Sequence, residues 1–538
     1  MTRAAPRAPG VILLDGAAGL PRQILGNKGF GIDAMRRHGL PVPPAFCLTT
    51  EVCADYFADP EHYLDTVWPE VLDAMCWLES ETSRTFGHGP RPLLVSVRSG
   101  AAQSMPGMLD TVLNLGIDDA VERALAQAAT AEFARDTRNR FDEMYRRIVL
   151  GGDDAAKVPD DPFVQLHAAI EAVLRSWHSP RAVTYRRHHR LDDAGGTAVV
   201  VQAMVFGNLG CGSGTGVLFS RNPMTGADEP LGEWLPGAQG EDVVSGTADC
   251  EPIAALRDEQ PGVYEQLITA AHTLEQLSRD VADIEFTVEE GRLWLLQTRV
   301  AKRSAQAAVR LALRLRQEGL IDDAEALRRV TPAQVQALLA PSLQPETRLA
   351  APLLAKGLPA CPGVASGRAY TDVDAALSAA DDGQDVILVR PVTSPDDVAG
   401  MLAANGIVTE IGGATSHAAV VSREIGRPAV VGCGAGVAVA LDGRAITVDG
   451  TEGEVREGVL ELTTWSEADS PDLQALADIA RQRSPLRAHA AGDYPVLQDS
   501  SEAAVRDAIA AGHTDVVSAT PLLTMLTALH LAGGDGDR

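Results

Sequence analysis

At 538 residues with a hydrophobic fraction of 45%, the chain is long enough for roughly three to four domains, and its composition is globular, not disordered or fibrous. Acidic residues outnumber basic ones 73 to 46 and the formal net charge is −27, which excludes nucleic acid and anionic membranes as natural partners and requires a local basic cradle for any phosphate-bearing ligand. Seven cysteines without a C-x-x-C pair suit reduced thiols, the apolar run 11–14 is too short for a signal peptide, and no stretch approaches a membrane span, so a cytoplasmic protein is expected.

In chain order, Gly26-Asn27-Lys28-Gly29 opens a helix through Met35, Gly39-Leu-Pro-Val-Pro-Pro breaks it, and 93–97 reads as a buried strand. From about 118 to 190 the pattern is helical, most clearly at 121–133, 138–149 and 162–177. Residues 197–300 return to strands, among them 198–206, 216–220 and 284–288, which makes an α+β unit with a helical insertion. An Arg/Ala/Leu-rich helical stretch follows, and the prolines at 341, 345, 352, 359 and 362 suit a semi-rigid connector. A second compact unit begins near Gly357, has strands at 386–389 and 406–409, and ends near Leu462; the tail is helical at 471–481 and 502–511 and finishes in a Gly/Asp run. The expected division is 1–117 and 197–340 for the first unit, 118–196 for its insertion, 341–356 for the connector, 357–465 for the second unit and 466–538 for the tail.

Chemistry concentrates in two places. Around His417 the sequence is Gly412-Gly413-Ala414-Thr415-Ser416-His417-Ala418-Ala419-Val420-Val421: a loop with glycine freedom, a capping hydroxyl, then an apolar helix. An imidazole at a helix N-terminus is placed where free N–H groups stabilise a phosphoryl group on the ring. The alternative is a capping-region histidine without chemistry, the commoner case for a lone His; a metal site is disfavoured, since no second ligand lies three or four residues away. The second place is 281–300, which alternates as a β-hairpin. With its turn centred on Gly291, Glu285 faces Gln297 and Asp283 faces Arg299. Hard oxygens clustered this way suit Mg²⁺ with nucleotide phosphates, and a solvated polar face is the plainer alternative. Lys28 at a turn-to-helix junction and Arg98 after a buried strand are candidate phosphate contacts. No G-x-x-x-x-G-K-[ST] motif occurs, and the glycine-rich run 210–216 does not fit dinucleotide-binding spacing.

Gly412 to Arg423 resembles the phosphohistidine signature of the pyruvate, phosphate dikinase family. Leu25-Gly-Asn-Lys-Gly, Gly39-Leu-Pro-Val-Pro-Pro, 94–100, 104–116, 201–208, 239–244 and Asp283-Ile-Glu-Phe resemble its ATP-grasp-type nucleotide domain. Gly357-Leu-Pro-Ala, Val389-Arg-Pro and 449–454 resemble its swivelling histidine domain, so the similarity runs in order from about 20 to 460. The form Thr-Ser-His-Ala-Ala-Val-Val is closer to the phosphate-using dikinase than to phosphoenolpyruvate synthase, which has cysteine before the histidine; Ala414, commonly Met, and Glu410 depart from the family pattern.

The resemblance implies a mixed α+β and α/β multidomain protein, an ATP-grasp-type nucleotide-binding domain with a helical insertion followed by a phosphohistidine swivelling domain. It implies that Lys28 and Arg98 contact ATP phosphates. Asp283, Glu285, Gln297 and Arg299 hold the nucleotide and Mg²⁺, with Glu285 and Gln297 as the metal's ligands. His417 is the phosphorylated histidine, and Thr415 matches the position a regulatory kinase modifies. ATP and inorganic phosphate would phosphorylate His417, giving AMP and pyrophosphate. Family members continue into a barrel that binds pyruvate or phosphoenolpyruvate; its catalytic motifs are not found here, and 485–489 with 500–517 reads as a remnant of its first strand and helix. Transfer to pyruvate is therefore expected to need a separate barrel protein. The alternatives are a phosphohistidine-dependent kinase of another small molecule and a non-catalytic ATP-binding regulatory protein.

Overall fold

Two antiparallel five-stranded sheets meet over the helix Arg22–Arg37, and an eight-stranded sheet follows them along the chain. The computed structural model describes residues 10–533 apart from 104, 106, 154–155, 190, 193–194, 245–249, 340–341, 344 and 464–465. Ser104 and Pro106 of the 104–108 motif, Pro341 of the connector and the end of the tail thus lie outside the described residues.

The first sheet has the order Val11–Leu13, Ala45–Leu48, Ala198–Ala203, Val95–Gly100, Thr111–Leu115. Ala198–Ala203 reads Ala-Val-Val-Val-Gln-Ala and all six residues are buried, as a strand paired on both sides and covered on both faces requires. The helical insertion between Thr111–Leu115 and Ala198–Ala203 comprises Asp119–Ala128, Ala131–Ile148, Pro162–Arg175 and Pro180–His189, and packs on this sheet through Phe133, Phe141, Leu166 and Ile170. The second sheet runs Glu251–Pro252, Leu231–Pro236, Gly214–Phe219, Ala282–Glu289, Arg292–Val300. Its final hairpin turns on Glu290 and Gly291, both with positive φ (49° and 79°), the backbone that a tight two-residue hairpin needs.

The helix Arg22–Arg37 starts earlier than its sequence signal and is interrupted at Gly26 (φ 66°, ψ 171°). A Cβ there would lie 1.8 Å from the carbonyl oxygen of Gly100, so only glycine allows the helix to approach the end of Val95–Gly100. The Asn27 amide then donates to Ala101 O at 2.8 Å, which brings Lys28 alongside the strand that carries Arg98.

Three expectations need correction. Residues 197–300 are not strands throughout: Ala254–Glu259 and Pro261–Ser278 are helices, the second burying Val263, Leu267, Ala270, Ala271 and Leu274 along one stripe. The semi-rigid connector expected at 341–356 is in part strand among its described residues. Ser342–Leu343 pairs with Leu462–Thr463 and Leu353–Lys356 with Glu454–Glu457, because in-line backbone donors and acceptors there complete the sheet edges. The helices Ala305–Gln317, Asp323–Arg328 and Pro332–Leu338, grouped by sequence with the first unit, share a core with the tail through Val309, Leu315, Leu327, Val335, Leu476, Leu486 and Leu526. In that tail, the parallel strands Arg487–His489 and Asp515–Val517 flank the helix Glu502–Ala510.

The eight-stranded sheet has the order Leu353–Lys356, Glu454–Glu457, Ala445–Asp449, Val364–Tyr370, Val386–Arg390, Gly406–Thr409, Ala429–Val431, Leu358–Cys361. Its middle pairs are parallel, and residues 386–389 and 406–408 are buried, which leaves the carboxyl ends of Val386–Arg390 and Gly406–Thr409 opening onto loops. Among the described residues, no helix is long and apolar enough to cross a membrane.

Candidate functional site

The hairpin has the anticipated register: Asp283 opposes Arg299 and Glu285 opposes Gln297, with a bulge between Glu285 and Phe286. Arg98, from the first sheet, reaches across to it. Its Nη2 donates to Glu285 Oε2 at 3.2 Å and to Gln297 Oε1 at 3.3 Å, and its Nη1 to Gln202 Oε1 at 3.4 Å. Arg299 Nε donates to Asp283 Oδ2 at 2.7 Å, while Asp283 Oδ1 is buried without a partner. Lys28 makes no ion pair among the described residues. Burial and the adjacent Arg98 guanidinium push its ammonium down to about 7. Burial pushes the Glu285 carboxyl up, but Arg98, Arg299 and Lys28 outweigh it and hold the group below its ordinary range. At Asp283 burial prevails over Arg299 and the shift is upward. Three cationic and two anionic side chains thus form a cradle of positive sign inside an acidic protein.

The oxygens of Glu285 and Gln297 converge on one cationic atom, Arg98 Nη2, and a third carboxylate oxygen, Asp283 Oδ1, has no partner. That donor set fits Mg²⁺ carrying nucleotide phosphates. Among the described residues no group of three or more His, Cys, Asp or Glu side chains forms a self-sufficient metal site, as expected for an ion that takes most of its ligands from phosphate and water.

His417 is the first residue of the helix His417–Ile425, whose N-cap is Ser416, accepting from the Ala419 amide at 3.4 Å, and whose end is Gly426 in the left-handed region. Its Nδ1 lies 3.2 Å from Thr393 Oγ1 in the loop that leaves Val386–Arg390. Its Nε2 is buried without a hydrogen-bond partner, beneath Gly107, where an added Cβ would stand 3.5 Å away. Burial holds the imidazole down to about 4, with Asp397 opposing, so the ring is neutral near pH 7.

The histidine loop is seated on the nucleotide unit. Thr415 Oγ1 donates to Glu233 of the strand Leu231–Pro236, and a Cβ on Gly413 would fall 1.9 Å from a Glu233 oxygen. Arg423, buried, ties the loop to its own sheet by donating to Ala414 O at 2.9 Å and Ala360 O at 3.1 Å.

The structure therefore gathers Lys28, Arg98, Asp283, Glu285, Gln297 and Arg299 in one cleft and seats the loop of Thr415 and His417 against the same unit. Sequence reasoning missed Gln202, Glu233 and Thr393. Gln202 had a signal, a single polar residue in an apolar strand; Glu233 and Thr393 had none. The glycine-rich run 210–216 has a packing role: a Cβ on Gly214 would lie 2.2 Å from Trp234, whose ring stacks on Phe286 at 6.1 Å.

Residues 61–263 match the family model described as pyruvate phosphate dikinase, AMP/ATP-binding domain, and residues 383–453 that described as PEP-utilising enzyme, mobile domain. The pyruvate, phosphate dikinase of Clostridium symbiosum is 40% identical over 505 residues, covering 84% of this chain and 58% of the relative. That of Rhizobium meliloti (strain 1021) is 41% identical over 508 residues, covering 82% and 56%. Chloroplastic pyruvate, phosphate dikinase 1 of Oryza sativa subsp. japonica is 39% identical over 528 residues, covering 88% and 56%. The chain spans a little over half the length of these curated relatives. With one matched region on the sheets that form the cleft and the other on the sheet that carries His417, in the same order along a chain matched over more than four fifths of its residues, the chain belongs to the pyruvate, phosphate dikinase family.

Proposed function

We propose that the chain is a dikinase-type phosphotransferase in which ATP and inorganic phosphate phosphorylate His417, releasing AMP and pyrophosphate. The observation that carries this reading is the unpartnered Nε2 of a neutral imidazole, seated at a helix start against the unit that holds the basic cleft.

In the tautomer this reading uses, the Nδ1–H donates to Thr393 Oγ1, which leaves the lone pair on Nε2 free to attack the β-phosphorus. Arg98 exchanges its carboxylate and amide partners for phosphate oxygens, and Lys28 and Arg299 add charge around the same groups. Glu285 and Gln297 would hold Mg²⁺, which when bound would neutralise phosphate charge. Gly107 stands over Nε2 and shelters it from water. The protein's share of the chemistry is placement and charge, as phosphoryl transfer requires. Thr415, bonded to Glu233 at the seam, is a position where an added phosphate would oppose the Glu233 carboxylate and lift the loop. In this reading the phosphoryl group passes on from His417 to pyruvate. The cytoplasm suits seven free cysteines.

The test is phosphate incorporation from β-³²P-ATP with Mg²⁺. The expected result is acid-labile label on the wild type and none on His417→Ala, with ATP affinity retained. Absence of label on the wild type, or label persisting on the variant, overturns the reading.

A further inference from the structure

Glu424 lies seven residues beyond His417 on the helix His417–Ile425, two turns along the same face. Its side chain is 8% exposed and reaches out of its own unit: Oε1 accepts from Lys302 Nζ at 2.7 Å and from Tyr185 Oη at 2.6 Å. Oε2 is buried with no partner. Both donors belong to the nucleotide side. Lys302 follows Arg299 by three residues at the exit of the hairpin, and Tyr185 lies on the helix Pro180–His189, where it packs with Ala182, Met108 and Val398. None of the three side chains is needed for the chemistry proposed above.

The region that bears Glu424 matches a domain described as mobile, so this carboxylate spans a surface that has to open. Apolar contact alone would fix such a surface loosely in orientation. A desolvated carboxylate with two directed donors fixes it tightly, and truncating one partner leaves a costly buried charge. The charges regain water when the surfaces part, which offsets much of the pairing and keeps the contact reversible. Thr415 on Glu233 is a second fixed point on the same unit, so the helix that begins with His417 is held at both ends.

We propose that Glu424 is a positioning residue: with Lys302 and Tyr185 it forms a polar latch that sets the helix His417–Ile425 against the nucleotide unit and so aims His417. The proposal rests on the phosphohistidine reading for its kinetic consequence but not for its geometry.

The test uses the full chain with Glu424→Gln, Glu424→Lys and the charge swap Glu424→Lys/Lys302→Glu. Glu424→Lys is expected to slow single-turnover labelling of His417 by about tenfold or more, and Glu424→Gln by less, while ATP affinity stays within about twofold. The same single variant should enlarge the radius of gyration in X-ray scattering, and the swap should recover both rate and compactness. Labelling of Glu424→Lys at the wild-type rate, a parallel loss of ATP affinity, or a swap no better than the single variant overturns the latch. Glu424→Gln, nearly isosteric, with an unchanged melting temperature shows that the effect is not misfolding. If the wild type takes up no label, the function reading has failed, and scattering alone then decides: an unchanged radius in Glu424→Lys refutes the latch.

Discussion

In the cleft, Arg98 and Arg299 each rest on a carboxylate, whereas His417 meets one hydroxyl and keeps Nε2 bare. The cleft holds full charges in place by pairing them, so an arriving polyanion exchanges partners with no need to order loose side chains. The histidine loop does the reverse. It keeps a group neutral by burial and leaves one atom without a partner, which suits a nucleophile. One region stores charge and the other avoids it, and the proposed phosphorylation of His417 would draw on both.

The comparison is broken most severely by unpairing the cleft. Arg299→Met strands Asp283, 2% exposed, without its partner and should cost about 3–5 kcal/mol in urea unfolding. Adding Asp283→Asn should recover most of that loss. Equal stability of wild type and single variant would show that the pair is not structural. A smaller effect is expected at the histidine. Thr393→Val removes the one hydrogen bond that the imidazole makes among the described residues, frees the tautomer, and should slow labelling of His417 by about tenfold with ATP affinity unchanged. An unaltered rate would show that burial alone orients the ring.

The smallest effect sharpens the contrast through protons. Burial and the neighbouring Arg98 guanidinium bring the Lys28 ammonium down from the ordinary lysine value of 10.5 to about 7, and nucleotide phosphates favour the charged form. ATP binding at about pH 8 should therefore take up to about one proton, read as a binding heat that varies with the buffer's ionisation enthalpy and loses that variation in Lys28→Met. Without ligand the sign follows from the same shift: between 7 and 10.5 the unfolded lysine holds a proton that the folded one has lost, so this group's contribution to stability rises with pH across that window. A buffer-independent heat at pH 8 would refute the role given to Lys28.

The hairpin was readable because its determinants are local: alternation sets the faces, and the turn at Glu290 and Gly291 sets the pairing. The bulge after Glu285 was not, since nothing in the composition marks which strand carries an extra residue. The meeting of Lys28 with Arg98 depends on a close approach between Gly26 and Gly100, seventy-odd positions apart, and single-sequence patterns do not carry such distances. The helices at 254–278 had a visible stripe at Val263, Leu267, Ala270 and Leu274 that the surrounding strand signals obscured. The helices after Ala305 show an apolar face but not its partner, so their core with the tail was illegible. Glu233 acts through a contact between separate sheets and Thr393 through one between two loops of the same sheet, which residue type alone does not announce.

The Asn27 amide bonded to Ala101 O has one more consequence. The stretch from Gly100 to Gly107 starts at the backbone that seats Lys28 and ends over the ring of His417. Lengthening or shortening it would change the grip on nucleotide and the shelter of the histidine together. Under the proposed function, a change of length in this stretch would therefore be read as a coupled change in nucleotide affinity and histidine reactivity.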